Sequence, residues 1–262
     1  IGNFDGVHRG HQAVLERALG EAEQNAAPAL ALTFEPHPRA VFRPDLPLCR
    51  VTPAETKALL ISALGFDAIV EQAFTRDFAS LDAEAFVTKV LEENLGISHS
   101  VTGFDFHFGK NRQGGPAFLM AAGERHDFGV TLVDAFRDEG AEVVSSSRIR
   151  ALLAEGDVAQ AAGLLGYRYT VEARVSGGKK LGRTLGFPTA NLQLSHEDKL
   201  VPHEGIYAVR AALRDRYVDG VLHLGPRPTF PGLPPSIELH LFDFAGDETV
   251  VLDCFDDDVH GD

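Results

Sequence analysis

What most constrains this chain is a change of texture near residue 166. Before that point, strand-length apolar runs alternate with segments of helical spacing. Ala29 to Phe34, Ala68 to Val70, Ser98 to Gly103 and Val130 to Ala135 read as strands, and Pro53 to Leu64, Leu81 to Leu95 and Pro116 to His126 as helices. Such alternation implies parallel strands with helices packed on the sheet faces. Two more helical stretches, Ser147 to Glu155 and Val158 to Leu165, are separated by Gly156-Asp157 and end at Gly166. From Tyr167 the chain turns to short β-branched and aromatic runs, Tyr169 to Val175, Gly205 to Leu213 and Ile237 to Phe244, divided by Gly, Pro and Asp clusters. That pattern predicts a small antiparallel barrel or sandwich, with the proline-rich Pro226 to Pro235 as a loop. The expected division is an α/β domain over residues 1–165 and a β domain over 166–262.

Within the α/β part, Gly2-Asn3-Phe4-Asp5-Gly6-Val7-His8-Arg9-Gly10-His11 runs straight into an amphipathic helix carrying Val14, Leu15, Ala18, Leu19 and Ala22. Glycines let the backbone approach a ligand closely, and a helix N-terminus offers N–H groups to an anion. His8 and His11 then stand where phosphates would lie, although H-x-x-H alone also suits a surface turn or a metal pair. The formal net charge of −14 and pI of about 5.2 argue against nucleic acid or an anionic membrane as partner, so an anionic ligand must be met by local basic groups. The two cysteines, Cys49 and Cys254, make no disulfide framework. Nothing resembles a signal peptide or an apolar run of membrane-spanning length, which makes a cytoplasmic protein the expectation.

Three further segments fit nucleotide chemistry. Thr33-Phe34-Glu35-Pro36-His37-Pro38 ends an apolar strand in a proline-fixed loop bearing a histidine. Gly103-Phe104-Asp105-Phe106-His107-Phe108-Gly109-Lys110 interleaves aromatics with charges, suiting equally a platform for a flat ring and an aromatic core strand. Ser145-Ser146-Ser147-Arg148-Ile149-Arg150 enters a helix with more hydroxyls than capping requires and with guanidiniums beside them.

In the β part, Gly177-Gly178-Lys179-Lys180-Leu181-Gly182-Arg183 could accept phosphate or be a solvated hairpin. Thr189 and Asn191, two apart on an extended segment, offer hard oxygen donors of the kind magnesium prefers. Glu238 lies in the alternating run Ile237-Glu238-Leu239-His240-Leu241, where an exposed strand residue is the plain reading.

Taken together and in this order, the first-domain motifs resemble the FMN adenylyltransferase module of the prokaryotic bifunctional riboflavin kinase/FAD synthetase family, over Ile1 to about Leu165. The segment from Gly177 through Phe187-Pro188-Thr189-Ala190-Asn191 resembles that family's riboflavin kinase signature. The resemblance implies a Rossmann-like nucleotidylyltransferase domain followed by a small antiparallel β-barrel. It also implies magnesium- and ATP-dependent conversion of riboflavin to FMN and of FMN to FAD. It assigns His8, His11, Gly2, Asn3, Phe4, Asp5, Gly10, Ser146, Ser147 and Arg150 to ATP in the first domain, and Pro36, His37, Pro38, Asp105 and Phe106 to the flavin. Gly177, Lys180, Gly182 and Arg183 would bind ATP in the second, Thr189 and Asn191 the metal, and Glu238 would be the kinase base. Ser147 replaces a usual threonine and His223 a usual asparagine. The family's sheet also has a central strand immediately before Gly2.

After Phe244 the resemblance is expected to decay into an acidic tail, with nine acidic residues and no Lys or Arg from Glu238 onward. The alternatives are adenylyl transfer alone beside a vestigial kinase, and a flavin- or nucleotide-binding paralogue without turnover. The acidic run predicts that riboflavin phosphorylation rises with moderate ionic strength, because screening weakens repulsion of the triphosphate. FAD synthesis from FMN should not share that response, which paired initial rates across a salt series would read.

Overall fold

A computed structural model describes residues 1–46, 48–176, 189–213, 216–226, 236–242 and 250–255, the last of these as backbone. By its internal contacts the chain forms two compact units. The first comprises Ile1–Leu48 and Thr52–Val144, the second Cys49–Val51 and Ser145–Asp262.

The first unit runs α1 (Arg9–Gln24), β1 (Leu30–Glu35), α2 (Pro38–Phe42), α3 (Ala54–Ala63), β2 (Ala68–Ala73), α4 (Arg76–Ala79) and α5 (Ala83–Ala85), which continues as a π-helical segment, Phe86–Asn94. Then come β3 (His99–Gly103), a 3-10 turn Lys110–Arg112, α6 (Pro116–His126) and β4 (Gly129–Val133). The strands pair in parallel, β1 with β2 and β3 with β4, as the alternation required. Between the two pairs lie Ile1 and Gly2. Gly2 N donates to Leu32 O at 3.1 Å, Ile1 N to Val101 O at 2.9 Å, and Thr102 Oγ1 to Ile1 O at 3.3 Å. Beside them a cavity of about 170 Å³ opens between Leu30, Ala31, Ser98 and Ser100.

Helical spacing places Val14 and Leu15 of α1 in an apolar cluster with Ala31, Ile61 and Val101. On the other side, Phe86, Val87, Val90 and Leu91 join Leu32, Phe34, Phe108 and Leu119. The helix expected over Leu81 to Leu95 is thus broken into α5 and a π-helical stretch whose apolar residues all face this core. At its surface, His126 at the end of α6 places Nε2 2.7 Å from Glu84 and Nδ1 2.9 Å from Glu92. Its hydrogen bond to Glu84 raises the His126 pKa, and the same bond lowers that of Glu84. A folded-state pKa above the unfolded value contributes stability that is full below about 6.5 and is lost as pH rises through the elevated pKa. The thermal midpoint is therefore expected to fall as pH rises from about 6.5 through the raised pKa, and His126→Gln to remove that component in parallel melts.

The second unit opens with α7 (Ser146–Glu155) and α8 (Val158–Leu165). β5 (Tyr169–Ser176), β6 (Ala190–Leu194), β7 (Gly205–Ala212), β8 (Tyr217–Gly225), β9 (Ser236–Leu241) and β10 (Val250–Phe255) follow. They close into a barrel in the order β10-β5-β6-β9-β8-β7, every pair antiparallel, so of the two expected architectures the barrel is the one formed. Tyr169, Val171, Leu192, Tyr207, Val209 and Leu239 are buried at alternate positions, and the residues between them face outward.

Two differences from the sequence expectation concern this unit. Val250–Phe255, expected to belong to a divergent tail, is the strand that pairs with both β5 and β7 and removes the barrel's last free edges. And α7 and α8, expected to belong with the α/β domain, cluster with the barrel, with contacts to β5 and β10 from α8. Among the described residues no helix is long and apolar enough to cross a membrane.

Candidate active site

The turn from Gly2 to His11 is shaped from within. Phe4, Gly6 and Val7 all have positive φ, at 51°, 91° and 36°, and Val7 N donates to Phe4 O at 3.0 Å. Of these only glycine adopts such a conformation without strain. Asp5 holds the others in place: it is 2% exposed, and its Oδ1 accepts from Thr52 N at 2.9 Å, while Thr52 Oγ1 accepts from Gly6 N at 2.8 Å. Asp5 and Phe4, both assigned to ATP from the resemblance, are buried within the turn.

His8 caps α1. Its Nδ1 accepts the His11 N–H at 3.3 Å, so a neutral His8 carries its proton on Nε2. The rings of His8 and His11 stack at 3.6 Å between centroids, and the Phe4 ring meets His11 edge-on at 5.5 Å. Gly10 permits this approach, since a Cβ there would lie 3.2 Å from the His8 ring and 3.4 Å from Val144 O. Burial lowers the His11 pKa well below 6.5, and the charges of His8 and Lys57 push it further down. His11 Nδ1 is buried without a hydrogen-bond partner. The pair is thus two stacked imidazoles at a helix N-terminus, His8 buried and His11 half-buried, an arrangement that an arriving anion relieves.

The proline-fixed loop leaves the carboxyl end of β1 as expected. Pro36 is exposed, and His37 and Pro38 are half-buried. His37 Nδ1 accepts from Arg39 N at 3.1 Å, capping α2. In the aromatic loop after β3 both sequence readings apply to different residues. Phe108 is buried and packs on Phe86 at 4.9 Å, Phe106 stacks on Phe108 at 5.5 Å while half-buried, and Asp105 and Phe104 are exposed.

On α7 the capping hydroxyl is Ser145, whose Oγ accepts from Arg148 N at 3.3 Å. The cap is thus supplied without Ser146, which is half-buried, or Ser147, which is exposed. Arg150 Nε donates to Cys49 O at 3.2 Å.

Sequence reasoning missed Lys57 on α3. It is 0% exposed, and its Nζ donates to Thr33 Oγ1 at 2.8 Å and to Glu35 Oε1. The available signal was a lysine four residues before Ile61, on the helix face that the core covers.

On the barrel, register brings Asn191, Glu238 and His223 into one row, Glu238 being paired with both neighbours. Leu239 and Leu241 point to the core, so this row faces outward, and Ser236 Oγ donates to Glu238 Oε1 at 3.0 Å. Thr189 immediately precedes β6 and is exposed. Gly177, Lys180, Gly182 and Arg183 lie outside the described residues. Among the described residues there is no group of three or more His, Cys, Asp or Glu able to cage a metal. Thr189 and Asn191 instead supply neutral oxygen donors, a set that fits magnesium shared with phosphates.

Comparison with known proteins covers both parts of the chain. The FAD synthetase family matches residues 1–148 and the riboflavin kinase family residues 165–256. The second match runs past Phe244, where the resemblance was expected to decay, and takes in β10. A bifunctional riboflavin kinase/FMN adenylyltransferase of Escherichia coli (strain K12) is 37% identical over 248 residues, 94% of this chain and 78% of that protein. The protein of the same description from Pseudomonas fluorescens is 40% identical with the same coverage, and that from Bacillus subtilis (strain 168) 39% identical over 93% of this chain and 77% of its own. A crystal structure described as a macrolide-efflux protein from Streptococcus pneumoniae superposes with a TM-score of 0.87 at 30% identity, covering 98% of this chain and 84% of that one. With both domains matched in order and the relatives aligned along nearly its whole length, the chain belongs to the bifunctional riboflavin kinase/FMN adenylyltransferase family.

Proposed function

We propose that this chain phosphorylates riboflavin to FMN on its barrel and adenylylates FMN to FAD on its α/β unit, using ATP in each step. The observation that carries the second activity is the stacked His8–His11 pair at the N-terminus of α1. The acceptor in that step is already an ionised phosphate, so no protein base is needed, and catalysis consists of positioning and charge stabilisation. The two imidazoles donate hydrogen bonds to phosphate oxygens, and Gly2, Asn3 and Gly10 keep the backbone close to them. Ser146, Ser147 and Arg150 are assigned to the triphosphate, and Pro36, His37, Pro38, Asp105 and Phe106 to the flavin, on the strength of the sequence resemblance.

For the kinase step the supporting observation is the outward row Asn191–Glu238–His223. A hydroxyl acceptor needs a base within hydrogen-bond reach, and Glu238 is the carboxylate beside the proposed metal ligands. Thr189 and Asn191 would hold Mg2+, which supplies charge neutralisation at the transferred phosphate. Gly177, Lys180, Gly182 and Arg183 are proposed to bind the ATP phosphates from sequence alone.

Chromatography of products tests the whole reading. Riboflavin with magnesium and ATP should give FMN and then FAD, and FMN with magnesium and ATP should give FAD directly. FAD from FMN without any FMN from riboflavin would favour adenylyl transfer beside a vestigial kinase, and absence of both products would leave a binding protein.

A further inference from the structure

Lys57 has no part in the assignments above, yet it is a fully buried lysine at the carboxyl end of β1, the edge at which open α/β sheets bind their ligands. Its Nζ donates to Thr33 Oγ1, and the Thr33 hydroxyl donates in turn to the carbonyl of Asn3 in the histidine turn at 3.3 Å. The same Nζ donates to Glu35, the residue before Pro36, His37 and Pro38. We propose that Lys57 is a positioning residue for adenylyl transfer, its ammonium joining the phosphate turn to the flavin-side loop.

Stability alone does not account for this lysine, because a buried ion pair is commonly replaced by apolar groups of similar volume without loss. What an apolar pair could not do is reach both loops at once. Nor could it place a positive charge whose field reaches His11, where it favours the neutral imidazole and helps draw phosphates in. The ammonium donates to one carboxylate, Glu35, and to the Thr33 hydroxyl, and its charge acts on the His11 imidazole.

This inference rests on the adenylyltransferase reading, so the wild-type chain is assayed first: no FAD from FMN there would end that reading rather than test Lys57. In the full chain, Lys57→Met is expected to slow FAD synthesis by about 10²-fold, the scale of a misplaced reacting group, with riboflavin phosphorylation unchanged. Lys57→Met combined with Glu35→Gln removes the stranded carboxylate and should remain slow. In both variants the His11 ring, followed by proton NMR, should titrate at higher pH than in wild type, which reads directly whether the Lys57 charge reaches the histidine pair. Recovery of FAD synthesis by the double variant to within about twofold, or a His11 titration that stays where it was, would overturn the proposal. Should neither variant fold, Thr33→Val, which cuts the link to Asn3 and leaves the ion pair, must slow FAD synthesis; wild-type turnover in that variant would equally overturn it.

Discussion

His11→Ala is expected to cut FAD formation from FMN by about 10²–10³-fold and leave riboflavin phosphorylation at the wild-type rate. His11 sits against His8 and Phe4 at the N-terminus of α1, and its Nδ1 is buried without a hydrogen-bond partner. Removing one such preorganised donor from a charge-developing reaction costs about 10²–10³-fold in turnover. The loss should fall mainly on kcat, since the interaction is strongest with the transition-state charge. Helix α1 keeps its cap, because His8 Nδ1 accepts the backbone N–H of residue 11 and not its ring. The α/β unit of the variant should therefore fold, which its thermal unfolding beside that of wild type checks. Equal loss of the two activities would refute separate sites. The pH dependence follows from the same burial. Burial holds the His11 pKa well below the ordinary imidazole value and a polyphosphate anion beside it raises it again, so ATP binding at acidic pH should be accompanied by proton uptake.

The complementary result is expected for Glu238→Gln: riboflavin phosphorylation falls by about 10²–10⁴-fold, while FAD synthesis from supplied FMN persists. Glutamine keeps the size of the side chain and can still accept from Ser236 Oγ, so the strand pairing of β9 with β6 and β8 has no reason to change. What is lost is the capacity to take the proton of the attacking hydroxyl. Undiminished phosphorylation in this variant would return Glu238 to an exposed residue on an alternating strand. The neighbouring His223, which stands where the family usually has asparagine, pairs directly with Glu238 across β8 and β9. The substitution therefore falls inside the proposed site.

The elements whose spacing is strongest were legible in advance. Pro116–His126 and Val158–Leu165 form the helices expected, to the residue, because each has a clear start signal and a repeating apolar face. The expected strands form with their ends moved by one to three residues, as with β1, which includes Glu35, β2, which runs on to Ala73, and β4, which begins at Gly129, while β8 was not anticipated. The strand at Val250–Phe255 was missed because an acidic surrounding sequence hides a run that is β-forming only once β5 and β7 offer it partners.

At the site, the sequence determined which residues were candidates, since glycines, histidines, hydroxyls and proline-fixed loops carry their chemistry in local order. Tertiary structure alone decided what each does. Asp5 turned inward because Thr52, far along the chain, supplies the partners that make its burial tolerable. Ser145 took the capping role from its neighbours, and Phe108 went to the core while Phe104 stayed at the surface. Lys57 gave no local sign of function, because its meaning lies in Thr33, Glu35 and the charge it places near His11, groups brought together only by folding α3 against β1. A local pattern records what a residue can do, and burial with its long-range partners selects which of those things it does.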